Sequence, residues 1–152
     1  MKKILLALLL ASCGFRPMYT GTDMDIYVAP INGIDGIELR NALNAQFGGT
    51  HDESAKYKIV VNLSKPVTKY KAFEKTGDAA WQEIVLTADY TITSGDKSVA
   101  KGRETASESY SYVSYLVASN ASYNNAVKNT ISVLAQKIGT RAIAETQSFE
   151  DK

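Results

Sequence analysis

Apolar and polar residues alternate along several stretches of this chain, and such alternation predicts β-strands with one buried face. The two clearest stretches are residues 56–64 and 83–93. A shorter segment, residues 25–31, predicts another strand, and Pro30 places it at a sheet edge or near its own end. Residues 98–112 follow a turn and are expected to pair back on the preceding strand.

Two other stretches place apolar residues three or four positions apart, which predicts helices with one buried face. Residues 35–47 form the first, and Asp35 with Glu38 matches a capping box at its start. Gly139 lies inside the second, residues 122–145, where glycine costs about 1 kcal/mol relative to alanine and indicates close packing or a bend. The apolar stripe of this second helix is Tyr123, Val127, Ile131, Leu134 and Ile138.

Together these patterns predict an α+β fold. We expect one small four-stranded sheet, mostly antiparallel or mixed, with both helices packed on one face. The predicted domain covers residues 24–148. Residues 13–23 are expected to be a tether, and residues 1–12 a targeting segment that is not part of the fold.

The first residues have the pattern of an exported lipoprotein. Lys2 and Lys3 precede an apolar run at residues 4–10. This run is shorter than the roughly 20 residues that span a bilayer, and it has the length of a signal-peptide core. Residues 10–13, Leu-Ala-Ser-Cys, resemble a bacterial lipobox, in which the cysteine thiol accepts a diacylglyceryl group. The sequence therefore predicts a signal peptide that is cut immediately before Cys13.

The predicted anchor also indicates a location. Cys13 would carry covalent diacylglycerol and an N-acyl chain, and several acyl chains together hold a protein stably on a membrane. Gly14 follows the cysteine, as in lipoproteins that are sorted to the outer membrane, where the folded domain faces the periplasm. The alternative is an ordinary secretory leader in which Cys13 is incidental.

Composition argues against several classes of function. The chain has 17 basic and 16 acidic side chains, and loss of Lys2 and Lys3 with the leader would leave 15 and 16. This balance gives no support for a nucleic-acid binder, which needs a basic stripe. The one histidine, His51, lacks a second imidazole or nearby thiolate for a metal site, and no Gly-x-Ser-x-Gly motif supports a hydrolase. We therefore expect a protein without enzymatic activity, metal or other cofactor.

Several short segments follow one another in a definite order along the chain: residues 13–19, 39–43, 57, 88–92, 102 and 110–123. Taken together they resemble the LPS-assembly lipoprotein family of the LptE type, in particular its alphaproteobacterial branch. The resemblance extends over nearly the whole chain after residue 12. The C-terminal helix departs from the usual arginine-rich version, since its basic residues are Lys128, Lys137 and Arg141.

The resemblance implies a role in lipopolysaccharide export. Proteins of this family sit in the lumen of the outer-membrane translocon barrel, LptD, where they act as a plug and assist barrel assembly. They also take part in delivering lipopolysaccharide to the outer leaflet. The implied partners are thus an LptD-type barrel, lipopolysaccharide and the membrane. The alternative is an auxiliary lipoprotein of another envelope transport system, also without enzymatic activity.

Two groups of residues are candidates for these contacts. Basic residues interleaved with Tyr70 and Phe73 could bind the phosphates and acyl chains of lipopolysaccharide, although a solvated hairpin loop has the same composition. These residues are Lys65, Lys69, Lys71 and Lys75. Tyrosine is enriched at protein interfaces, so a second group could face the barrel or could instead cover the edge of the core. It consists of Tyr110, Tyr112 and Tyr115.

Mass spectrometry of protein from its native host tests the anchor. We expect Cys13 to be the first residue of the mature chain and to carry the acyl chains, because the lipobox follows directly on the apolar run of the leader. An unmodified sulfur, with the leader kept or cut elsewhere, would contradict the predicted location.

Overall fold

A computed structural model of the chain describes residues 24–73, 75, 79–112 and 115–151. The predicted signal peptide, Cys13 and the predicted tether lie outside the described residues. Along the described chain the order is strand, helix, four strands, helix. The elements are β1 (Ile26–Val28), α1 (Ile34–Gln46), β2 (Tyr57–Leu63), β3 (Val67–Phe73), β4 (Ala79–Ser94), β5 (Lys97–Ser111) and α2 (Leu116–Glu150).

The sheet is built around β4, its longest strand with 16 residues. One edge of β4 pairs with β2 and then with β3, which lie end to end, and the other edge pairs with β5. These pairings are antiparallel, whereas β1 adds to β2 in parallel. The described sheet therefore has five strands, and the predicted count of four is wrong, because part of the lysine-rich segment 65–75 forms β3.

A short break separates β2 from β3 without releasing the chain from β4. Pro66 has no N–H with which to continue a ladder. The Ser64 N–H donates to the Thr87 carbonyl oxygen at 2.8 Å. The Thr87 N–H donates in return to Ser64 Oγ at 3.0 Å. Ser64 thus bridges the interruption, and β2 and β3 follow one line along the edge of β4.

Alternate residues of the strands form one buried layer, as the sequence pattern predicts. The helices pack on this inner face, with α2 over β4 and β5 and α1 between α2 and β1. Burial of an isoleucine or leucine side chain contributes about 1.5–3 kcal/mol, so this layer provides the main driving force for folding. Fully buried members include Ile26, Ile59, Ile84, Leu86, Ile92, Leu39, Leu43, Leu134 and Ile138. The predicted α+β class with both helices on one face is confirmed.

The helix bounds differ from the predicted ones for local reasons. α1 begins after Gly33, whose φ of 87° turns the chain, and its N-cap has no side-chain hydrogen bond. The capping-box prediction is therefore wrong, and Asp35 lies in the first turn, where its charge favours the helix dipole. α2 begins six residues before residue 122, at Leu116, and continues to Glu150. The Tyr57 hydroxyl donates to Glu150 Oε1 at 3.1 Å and holds its last turn on the sheet.

Two glycines mark places where backbones approach side chains closely. Gly102 on β5 lies opposite Tyr90 on β4, and a Cβ at Gly102 would stand 2.5 Å from Cζ of that ring. Gly139 on α2 faces the side chain of Gln46 on α1, whose amide oxygen would overlap a Cβ there. Of the two readings of Gly139, the structure supports close helix packing.

The two glycines predict different responses to alanine. Tyr90 is only 4% exposed and cannot move aside, so Gly102→Ala should lower the free energy of unfolding by about 1–3 kcal/mol. Gly139→Ala should cost less, since the end of the flexible Gln46 side chain can rotate away and alanine favours the helix by about 1 kcal/mol. Urea denaturation of both variants measures the difference. A larger loss for Gly139→Ala would contradict this packing.

Candidate functional site

The sheet has a second face, which we call the open face, on which no helix of the described chain packs. It presents the residues of β2 to β5 that alternate with the buried ones. Hydroxyl side chains are frequent here, and the Thr87 and Thr105 hydroxyls lie 3.1 Å apart on neighbouring strands. Val60 and Val67 are 49% and 53% exposed on the same face. The open face is thus a mixed polar surface and does not extend the core.

Both carboxylates of the open face are held by a neighbouring cation. Arg103 donates from Nε and Nη2 to the two oxygens of Asp89, at 2.6 and 3.0 Å. Lys71 Nζ lies 3.0 Å from a carboxylate oxygen of Glu83. The Arg103 hydrogen bonds lower the pKa of Asp89, and the Lys71 hydrogen bond lowers the pKa of Glu83. Both carboxylates therefore stay ionised at neutral pH.

Two of the four lysines proposed for lipopolysaccharide lie on a strand, whereas Lys75 is in the connection between the antiparallel strands β3 and β4. Lys69 and Lys71 lie within β3, and Lys69 is the register partner of Glu83 on the open face. Lys65 precedes β3 and Lys75 follows it, and all four are exposed. The structure thus puts two of the lysines on one rigid strand, while their binding of lipopolysaccharide stays a prediction.

The three tyrosines proposed for the barrel interface differ in exposure. Tyr110 is only 8% exposed, its hydroxyl donates to Gln82 Oε1, and its ring meets that of Tyr123 edge to face at 5.9 Å. Burial raises the pKa of Tyr110. Tyr112 and Tyr115 are 43% and 81% exposed. Tyr110 thus lies at the edge of the core and the other two are exposed, while the interface prediction stays a prediction for all three.

Further exposed aromatic and aliphatic side chains gather near Tyr112 and Tyr115, where β4 begins, β5 ends and α2 begins. We call this part of the molecule the distal end. It was not predicted as a cluster, because Leu116 and Val117 lie outside the apolar stripe of α2. The sequence signal for this cluster was the run of apolar or aromatic residues at 115–117, which follows a serine-rich segment. The exposed members are Tyr70, Trp81, Tyr112, Tyr115, Leu116 and Val117.

Other kinds of site find little support in the part of the chain that the structure describes. No group of three or more histidine, cysteine, aspartate or glutamate side chains there could hold a metal ion. His51 lies in the polar loop between α1 and β2, where its side chain has an interaction partner. Among the same residues no helix is long and apolar enough to cross a bilayer, although α2 has 35 residues.

Comparison with known proteins identifies a family. The family model described as LptE, lipopolysaccharide-assembly, matches residues 24–142 of this chain. That match includes all five strands, α1 and most of α2. No curated protein matches the sequence.

Solved structures share the fold at low sequence identity. A predicted lipoprotein from Caulobacter crescentus has 19% identity and a TM-score of 0.62, with 77% of this chain and 86% of that chain covered. Lipoprotein B from Nitrosomonas europaea has 12% identity and a TM-score of 0.63, with 80% and 83% covered. Rare lipoprotein B from Shewanella oneidensis has 14% identity and a TM-score of 0.61, with 84% and 98% covered.

The burial of Tyr110 predicts a stability effect that its neighbour lacks. Tyr110→Phe removes the donor to Gln82, which is itself buried, and should lower the free energy of unfolding by about 1–2 kcal/mol. Tyr112→Phe, at an exposed position, should change it by less than about 0.5 kcal/mol. Urea denaturation of the two variants decides. Equal stability of both would contradict a structural role for the Tyr110 hydroxyl.

Proposed function

Because the chain belongs to the LptE family of lipopolysaccharide-assembly proteins, we propose that it plugs the lumen of an LptD-type outer-membrane barrel. In this proposal it also helps the barrel to assemble and takes part in delivering lipopolysaccharide to the outer leaflet. The single observation that carries the proposal is the family match, which spans the sheet, α1 and most of α2. The family is one of assembly factors, in agreement with the prediction of a protein without enzymatic activity.

The dimensions of the domain support a place inside a barrel. α2 has 35 residues, and at 1.5 Å per residue it is about 52 Å long. The apolar band of an outer-membrane barrel is about 25 Å tall. A domain of this length can therefore occupy the lumen over its full height and still present both of its ends.

The topology also fits an anchor at one end. β1 begins opposite Tyr57, beside the last turn of α2, and therefore far along the sheet from the distal end. An extended tether of 11 residues, 13–23, could reach at most about 40 Å. A lipid on Cys13 would then hold the end near Tyr57 close to the periplasmic leaflet of the outer membrane. The distal end would point away from that leaflet.

A tagged pull-down from detergent-solubilised envelopes tests the barrel partnership. The full chain, expressed in its own host with its leader, should co-purify an outer-membrane barrel of the LptD type. Co-purification of the components of a different envelope transporter, without that barrel, would contradict the proposal. A Cys13→Ser variant should recover less of the barrel if the anchor places the domain beside it.

A matched pair of variants tests the role of the lysines on β3. Replacing Lys69 and Lys71 by glutamine should weaken retention of lipopolysaccharide about tenfold or more, since each lysine near an anionic surface contributes about 1 kcal/mol. The control replaces Lys128 and Lys137 on α2 by glutamine. The two pairs are matched, because each has one lysine that binds a group of the same chain: Lys71 binds Glu83, and Lys137 binds the Thr105 carbonyl oxygen.

The readout of this comparison is lipopolysaccharide bound to the immobilised chain at fixed salt. Equal loss in both double variants would show a general charge effect. Unchanged retention in the β3 variant would remove these lysines from the proposed lipopolysaccharide contact.

A further inference from the structure

We propose that the open face of the sheet, rather than the helices, is the surface that contacts the inner wall of the barrel. Carboxylates on that wall would oppose Lys58 and Lys101, whereas Lys69 on β3 is the lysine proposed above for lipopolysaccharide. This inference rests on the proposed function and assigns a surface to it. Three observations support it: the excess charge of the open face, its hydrogen-bonding groups, and the internal use of the cations on the helix side.

Among its described residues, the open face has more cations than carboxylates. Register places five basic and two acidic side chains of β2 to β5 on it. Glu83 and Asp89 are each already held, by Lys71 and Arg103. Within the described chain no salt bridge engages the remaining cations, although Lys58 lies 5.8 Å from the centre of the Tyr27 ring. The face therefore has an excess of three positive charges, which an acidic surface would complement.

The helix side uses its cations internally. Lys137 Nζ donates to the Thr105 carbonyl oxygen at 2.7 Å, and Arg141 Nη1 donates to Glu104 Oε1 at 3.2 Å. Arg40 Nε donates to the Val28 carbonyl oxygen at 3.0 Å. These three side chains fasten α1 and α2 to the strands, so they are committed to the fold. Lys128 is the exposed exception on α2.

The backbone along the free edge of β5 adds hydrogen-bonding groups beside the open face. Thr87 directs its N–H and carbonyl toward Ser64, away from β5. Its partner Thr105 therefore directs its own N–H and carbonyl to the free edge of the sheet, where Lys137 binds the carbonyl. By the same alternation Ser107 and Ser109 present backbone groups at this edge. The interior wall of a barrel is polar and can satisfy such groups.

Crosslinking from matched serines tests the assignment in the full chain within native envelopes. A photo-crosslinking residue replaces Ser107 on the open face or Ser132 on α2, both of which are exposed. Ser107 should capture the barrel, and Ser132 should capture it at least about fivefold less. Capture from Ser132 alone, or equal capture from both, would overturn the inference and leave the proposed function intact.

Two further outcomes have definite meanings in the same experiment. Capture of lipopolysaccharide alone from Ser107 would overturn the inference, since the open face would then be a lipid contact. Failure of both positions to capture a barrel, together with no barrel in the tagged pull-down, would overturn the proposed function and the inference with it.

Charge reversal supplies an independent readout. Lys101→Glu should lower recovery of the barrel about tenfold, because it places like charges opposite each other, whereas Lys128→Glu should change it less than twofold. Both lysines are exposed, so neither substitution should disturb folding, and thermal unfolding of the purified variants checks this. If Lys101→Glu recovered as much of the barrel as the unaltered chain does, the proposal that the wall is acidic opposite this face would be contradicted.

Discussion

Packing of α2 against the inner face of β4 is the interaction on which the rest of this structure depends. β4 pairs with strands on both of its edges, and α2 covers the residues that it turns inward. Ile84, Leu86 and Ile92 are fully buried there. Most apolar side chains of this strand lie on that side, and its other side places Trp81 and Val85 among polar residues.

This division into two faces connects the fold to the function. A member of a lipopolysaccharide-assembly family has to fold stably and also present surface to other components. The inner face supplies the stability, and the helix-side cations Lys137 and Arg141 reinforce it. The open face and the exposed distal end are then available for contacts.

Sequence reasoning found what depends on local periodicity and missed what depends on register. Alternation located β2 and β4, and spacing located both helices. It missed β3, because Lys69 and Lys71 put charge on one side of that strand and Pro66 interrupts the pattern. The candidate lysines and tyrosines were visible as residue types. Which of them are buried or paired, such as Tyr110 with Gln82 and Lys71 with Glu83, follows from strand pairing that the sequence does not display.

The most direct test of the account is a cryo-EM map of the barrel complex purified from its host through a tag on this chain. We expect the domain inside the lumen, with the five-stranded sheet against the inner wall and α1 and α2 directed away from that contact. Density for the chain outside the barrel would contradict the proposed function. Density inside the barrel with the helices against the wall would contradict the division of roles between the two faces.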